Sequence, residues 1–567
     1  MWISHAERPM KVDELCHALA VNLGCRDFNT ENIPSISTLV GCCQGLITIN
    51  KEGSTVRLVH FTLQEYLSAL PDIFGKPHSA IAEICLTYLN SEQVKSIRPD
   101  LFPDIPDTPS LKYCSIYWGV HAKRELLDCA KSLALELFKE YNGHISGQLI
   151  LVEHFNLDHV YLKYSKSGYP FSGLHCASFF GIGDLVVALI EMERYDINKG
   201  GFWGYTPLAW AASNGHEEVA NILLDREEVN PNKPANLGQT PLSYAASRGH
   251  EGVVKMLLEH GKVKPNKPDD SGKTPLSYAA LSGHEVVVKV LLGCEEVSPD
   301  NPDIGGRTPL SYAAGNGHAA VVNILLGQEE VNPHKPDNTD RTPLAHAAQK
   351  GHREVVKILF AYEEANPDKP DTWGSTLLWH MATGGDEGAA KILLEREEVN
   401  LDKPDSDGRT LLSYAASNGY EEVVKILLGR KEANPDKPGK YGRTPLWEAA
   451  QGGHEGVVKI LLAREEVNPD QPDDYGQTPL LSAASCRHVG VVKILLEREE
   501  VDPDSSDIWG RTTLSYAAEY GNEEVVKVLL GREEVMLDTL DIWGKTPLMY
   551  AAMGGHERVI TLLQAQG

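Results

Sequence analysis

The chain has 567 residues, 42% hydrophobic and 23% charged, a balance that excludes a disordered or fibrous polypeptide. Its net charge is −26, and residues 1–165 hold 14 Lys/Arg against 19 Asp/Glu, which leaves −21 for the remainder. So acidic a chain is expected to repel nucleic acid and anionic membrane surfaces. The start, MWISHAERPMKVDEL, lacks the basic and apolar runs of a secretory signal, and no stretch approaches 18 consecutive apolar residues. Of ten cysteines, seven precede residue 130 and none forms a C-x-x-C pair. They read as reduced, buried thiols of a cytoplasmic protein, with no disulfide framework, metal site or cofactor.

In chain order, KVDELCHALAV and PSISTLVGCCQG predict two helices. LITIN and TVRLV predict strands around Lys51-Glu52-Gly53-Ser54, and HFTLQEYLSAL a third helix. Helix, helix, hairpin, helix is a winged-helix plan over residues 1–75. PSISTLVGCCQG contains no Lys or Arg, so it lacks what a DNA-reading helix needs. Residues 76–165, with IAEICLTYLN and LKYCSIYWGVHAKRELLDCAKSLALELF, predict a helical connector. Its apolar faces are expected to pack on the segment beginning at residue 166 and shield its open end.

From residue 166 to 567 the sequence repeats. Threonines recur at 206, 240, 274, 308, 342, 376, 410, 444, 478, 512 and 546, every 34 residues, and Ser172 begins a degenerate first copy. In TPLSYAASRGHEGVVKMLLEH, Thr240 is an N-cap and Pro241 takes the first helical position. Gly249 ends the helix in a left-handed conformation, and Val253, Val254, Leu257 and Leu258 give a second helix its apolar stripe. A Pro-, Asp- and Gly-rich loop such as VKPNKPDDSGK closes the unit as an extended hairpin. The periodic histidines, His216 and His250 among them, are spread along the array and cannot converge on one metal.

These residues resemble the ankyrin consensus G-x-TPLHxAAxxGHxxVVxxLL, although Ser243, Ser277 and Ser311 stand where its histidine is usual. The resemblance covers about 70% of the chain and implies a mainly α, ankyrin-repeat solenoid of about twelve units. It also implies protein partners held on hairpin tips and the concave face. Tip residues just before the turn glycine include Trp203, Trp373, Tyr441, Tyr475, Trp509 and Trp543, six aromatics in eleven positions. The turn glycine itself is replaced once, by Asp340. Arg443, Arg511 and Lys545 directly precede the repeat threonine and extend the candidate surface toward an acidic or extended ligand.

WISHAERPMKVDEL and VRLVHFTLQEYL resemble the winged-helix segment of fungal NACHT-type STAND ATPases, which are immune-receptor-like. That resemblance implies the ligand-sensing arm of a NACHT-ankyrin signalling receptor and makes a NACHT NTPase domain a candidate partner. It also gives His60 a nucleotide-phosphate contact in the closed state. No G-x-x-x-x-G-K-[ST] occurs in the chain; Gly544-Lys545-Thr546 has Thr539, not Gly, five residues upstream. The expectation is therefore a non-catalytic recognition module. The alternative is a freestanding ankyrin scaffold with no NTPase partner.

Overall fold

The computed structural model describes residues 1–21, 30–44, 46–50, 54–59, 61–68, 75–97, 108–157, 170–361, 371–372, 375–377, 379–380, 400–405 and 408–566. They fall into two compact units, Met1–Ile304 and Gly305–Gly567. His60 and Trp373 lie outside the described residues.

The first unit opens with α1 (Trp2–His5) and α2 (Val12–Leu19), which buries Val12, Leu15, Cys16 and Ala18. The buried Glu14 carboxylate accepts the Lys11 backbone N–H at 2.8 Å and pairs with Arg8 at 2.6 Å, so no charge is left alone in the core. Then come α3 (Ile36–Cys42), β1 (Ile47–Asn50), β2 (Thr55–Leu58) and α4 (Phe61–Ser68). The strands pair antiparallel from Ile47 with Leu58 to Asn50 with Thr55. This is the expected order of helix, helix, hairpin and helix. Ile36 and Val40 of α3 are exposed and the helix carries no basic residue.

The connector contains α5 (Pro77–Leu89), α6 (Glu92–Lys95), α7 (Pro109–Arg124), α8 (Asp128–Phe138) and α9 (Ile145–Phe155). Its large rings meet the first repeat. Trp118 sits edge-on to Phe138 at 5.9 Å and to Phe180 at 5.3 Å. The Tyr195 hydroxyl donates to the Phe138 carbonyl at 2.7 Å. A Cβ on Gly119 would overlap the Phe180 ring, so this glycine is what lets α7 lie flat against the repeat. The connector thus buries the repeat's open face.

Within each unit the repeats are helix pairs that stack on the next pair. Thr240 caps Pro241–Arg248 by accepting the Ser243 N–H at 3.2 Å, and Gly249 ends that helix at φ +77°. The partner helix, Glu251–Glu259, buries Val253, Val254 and Leu257. The periodic histidines are stitches between neighbouring pairs. His250 Nε2–H donates to the Ser213 carbonyl at 3.0 Å, His284 to Ser247 at 3.0 Å and His454 to Ser417 at 3.0 Å. Asn522, at the histidine position of its repeat, donates its side-chain N–H to the Ala484 carbonyl at 2.7 Å, one residue earlier in the preceding repeat. A structural role is what the spacing predicted.

Burial, with the charge of nearby Arg248, holds the His154 imidazole down at about 4, against an ordinary 6.5. It packs edge-on to Phe155, Phe179 and Trp210. Because the folded value lies below the unfolded one, the neutral ring's stabilisation is complete above pH ~6.5 and is lost as pH falls toward 4. Lowering the pH from 7 to 5 is expected to lower the unfolding temperature, and His154→Phe, which keeps the ring and removes the titration, should reduce that drop. Thermal melts of both proteins across this range provide the check.

Candidate protein-binding face at the loop tips

Several loop tips are built around a carboxylate, whereas Gly201, Ala235 and Gly439 stand at that position in three others. In the second unit, Asp507 Oδ1 accepts the N–H groups of Trp509 at 3.0 Å and Arg511 at 2.9 Å. Its Oδ2 accepts the Tyr516 hydroxyl at 2.8 Å, tying the loop to the inner helix Thr513–Glu519. Asp541 repeats the arrangement with Trp543 at 2.9 Å, Lys545 at 2.8 Å and the Tyr550 hydroxyl. In the first unit Asp269 does so with Ser271, Lys273 and Tyr278. At Asp337 the partner is His346 Nε2 at 2.9 Å. Burial alone would raise the Asp337 carboxyl, yet the Thr339 hydroxyl and the N–H groups of Thr339 and Arg341 hold it below the usual carboxylate range.

This arrangement answers the missing histidines. The serines complete the helix caps, with Thr240 Oγ1 3.0 Å from Ser243 Oγ. The bond between loop and helix passes to the next residue, a Tyr or His nine positions after the aspartate. That Asp-to-Tyr link escaped the sequence reading, although a fixed offset of nine was its signal.

Backbone bonds then join tip to tip. Asp474 N–H donates to the Tyr441 carbonyl at 2.8 Å, Ile508 to Tyr475 at 3.0 Å and Ile542 to Trp509 at 3.0 Å. The rings of Tyr441 and Tyr475 lie 6.2 Å apart, and those of Tyr475 and Trp509 stack at 6.3 Å. Tyr441, Tyr475 and Trp543 remain 46%, 39% and 57% exposed. In the first unit Trp203 is exposed as well and lies against Phe155 and Phe202. Exposed Ile508 and Ile542, one position before the tips, extend the apolar row, and inspecting that phase of the repeat would have revealed them.

Arg443 and Arg511 are half-buried. The Arg443 guanidinium lies 4.0 Å from the Trp447 ring centre and 3.6 Å from the Asp473 carboxylate of the following loop. Arg511 lies 4.0 Å from Tyr516 and 4.6 Å from Tyr550, and pairs with Glu519. Lys545 stands 5.4 Å from the Tyr550 ring. These cations are therefore tied into the loops as cation–π and ion pairs, with only part of each facing outward.

At every described turn position the backbone is left-handed, at φ +73° for Gly442, +77° for Gly476 and +60° for Asp340, the one substitute for glycine in the sequence of these turns. A family model for ankyrin repeats (3 copies) matches the chain at 142–235, 174–269, 227–303, 288–371, 359–438, 430–507 and 491–567. The chain belongs to the ankyrin-repeat family. A second model, the winged helix domain of GPI inositol-deacylase, matches residues 1–73. No curated protein matches the chain. No helix among the described residues is long and apolar enough to cross a membrane.

The Asp-to-Tyr link in this ankyrin array is testable by removing one oxygen. Tyr516→Phe leaves Asp507 Oδ2 short of a donor and should destabilise by about 1.5–3 kcal/mol. Tyr520→Phe, at an exposed ring nearby, should change stability by less than about 0.5 kcal/mol. Urea unfolding of the two variants reads the difference.

Proposed function

We propose that the chain is a non-catalytic recognition module that captures a protein ligand on the aromatic tips of its second unit. The observation that carries this reading is the exposure of Tyr441, Tyr475 and Trp543 on turns fixed by backbone bonds and, at Tyr475 and Trp543, by an aspartate carboxylate. Large rings held rigid in solvent lose little conformational freedom on binding, and such residues dominate interface energies. Trp509, Arg443, Arg511 and Lys545 border the same tips, and their guanidinium and ammonium edges suit acidic groups on an extended ligand. Trp203 offers a comparable ring in the first unit.

The finer reading is the sensing arm of a NACHT-ankyrin receptor. Its support is the winged-helix match together with an apolar cavity of about 390 Å³, lined by Leu19, Leu39, Leu46 and Leu58 among others. Exposed Ile36, Val40 and Val59 lie on the same small domain and suit docking of a further domain. In this reading ligand on the repeats frees the winged helix and permits an NTPase to assemble. A freestanding scaffold would instead use the N-terminal region only to cover the repeats, as the Trp118–Phe180 packing allows.

The experiment replaces Tyr441, Tyr475, Trp509 and Trp543 by Ala in the full chain and compares affinity-captured partners with those of the parent. Loss of specific partners with a folded array is the expected outcome. Unchanged capture with a lowered melting temperature would show that the rings only stiffen the loops.

A further inference from the structure

The sequence leads one to expect no metal, yet three potential ligands distant in sequence converge where the winged-helix segment meets the connector. Glu7, His78 and His121 place their ligating atoms within 4.8 Å of one another. Glu7 follows α1, His78 lies in the first turn of α5, and His121 is in the last turn of α7. The two Nδ1 atoms are 2.8 Å apart, and Glu7 Oε1 is 4.0 Å from His121 Nδ1.

Two imidazole lone pairs cannot face each other at that distance unless something positive lies between them. One proton on either ring satisfies the pair, and so does a cation. Zn–N bonds of ~2.0–2.1 Å in a tetrahedral site put ligand atoms roughly 3.3 Å apart, so the rings need separate by only about half an ångström. An imidazole ligates a metal in its neutral form.

The surrounding groups fit ligation. The His121 Nε2 lies 3.0 Å from the Tyr113 hydroxyl, which can accept its proton once Nδ1 is committed to an ion. Glu7 Oε2 accepts from Arg124 at 3.2 Å, which orients the carboxylate while Oε1 points toward the rings. The same guanidinium also bonds Oε1 and must yield that oxygen when an ion enters. Arg124 is the cation bonded to Glu7, His5 packs edge-on to His78 at 5.6 Å, and Glu125 accepts the Ser79 N–H at 3.4 Å near the start of α5. His121 is fully buried, whereas Glu7 and His78 are half-buried and reach solvent.

We propose that Glu7, His78 and His121 form a binding site for a zinc-class divalent ion, with water as a fourth ligand, that clamps the winged-helix segment to the connector. Each ring then carries its remaining proton on Nε2, so binding requires a tautomer shift and no net release of protons.

The test uses the full chain, freed of metal with a chelator and titrated with Co²⁺ as a visible probe and with Zn²⁺ as competitor. The expected result is one equivalent of Co²⁺ with the visible bands of a four-coordinate nitrogen–oxygen site, displaced by Zn²⁺. His78→Gln, at a half-exposed position, should abolish those bands, and Glu7→Gln should weaken Co²⁺ binding at least tenfold. Zn²⁺ should raise the unfolding temperature of the parent and not that of His78→Gln. Absence of the bands in the parent overturns the proposal, as does their persistence in His78→Gln. Near-ultraviolet thiolate-to-metal absorption would place the ion on the exposed cysteines and overturn it equally.

Discussion

A buried aspartate at the head of a loop, as at Asp269, Asp337, Asp507 and Asp541, holds two structures at once. One oxygen collects two backbone N–H groups and fixes the turn; the other takes a Tyr hydroxyl or a His N–H from the inner helix. A carboxylate withdrawn from water is tolerated only when such partners replace its hydration. Because the loop carries few apolar side chains of its own, these bonds set where its tip points. Asp473 shows the converse, since Ser482 occupies the position of the Tyr and Oδ2 has only Arg443 at 3.6 Å beside it.

The tip surface inherits its order from that arrangement. Where glycine replaces the aspartate, as at Gly439, the tip residue Tyr441 itself adopts a left-handed φ of +63° and the loop closes by Gly439 N–H to the Arg443 carbonyl at 2.8 Å. Both solutions bring the ring to solvent and present its carbonyl to the next loop. Variation in side chains on a constant backbone is what lets one scaffold recognise different partners. At the other end of the first unit, Trp118 and Phe138 supply the apolar contact that a further repeat would otherwise provide.

Much of this was readable beforehand. The 34-residue period, the Thr-Pro caps, the left-handed turn and its Asp340 exception all follow from short-range stereochemistry, which a few adjacent residues decide. That the periodic histidines cannot share one metal followed from their spacing, whereas their bonds to the preceding repeat came from the structure. Less legible was the state of Arg443 and Arg511, which the sequence places beside the tips and which the structure lays against Trp447, Tyr516 and Tyr550. Nothing in a linear period tells a solvated cation from one stacked across a repeat boundary.

By itself the sequence determined the repeat, its helices and turns, and the winged-helix order at the start, because each is set by local propensity and by apolar spacing within about 34 residues. Only the tertiary structure decided which polar groups meet. The Asp-to-Tyr link, the ring stack from Tyr441 to Trp509, and the convergence of Glu7, His78 and His121 each depend on segments packed side by side. Distances of a few ångströms between atoms far apart in the chain follow from packing, and packing is not written in any single window of sequence.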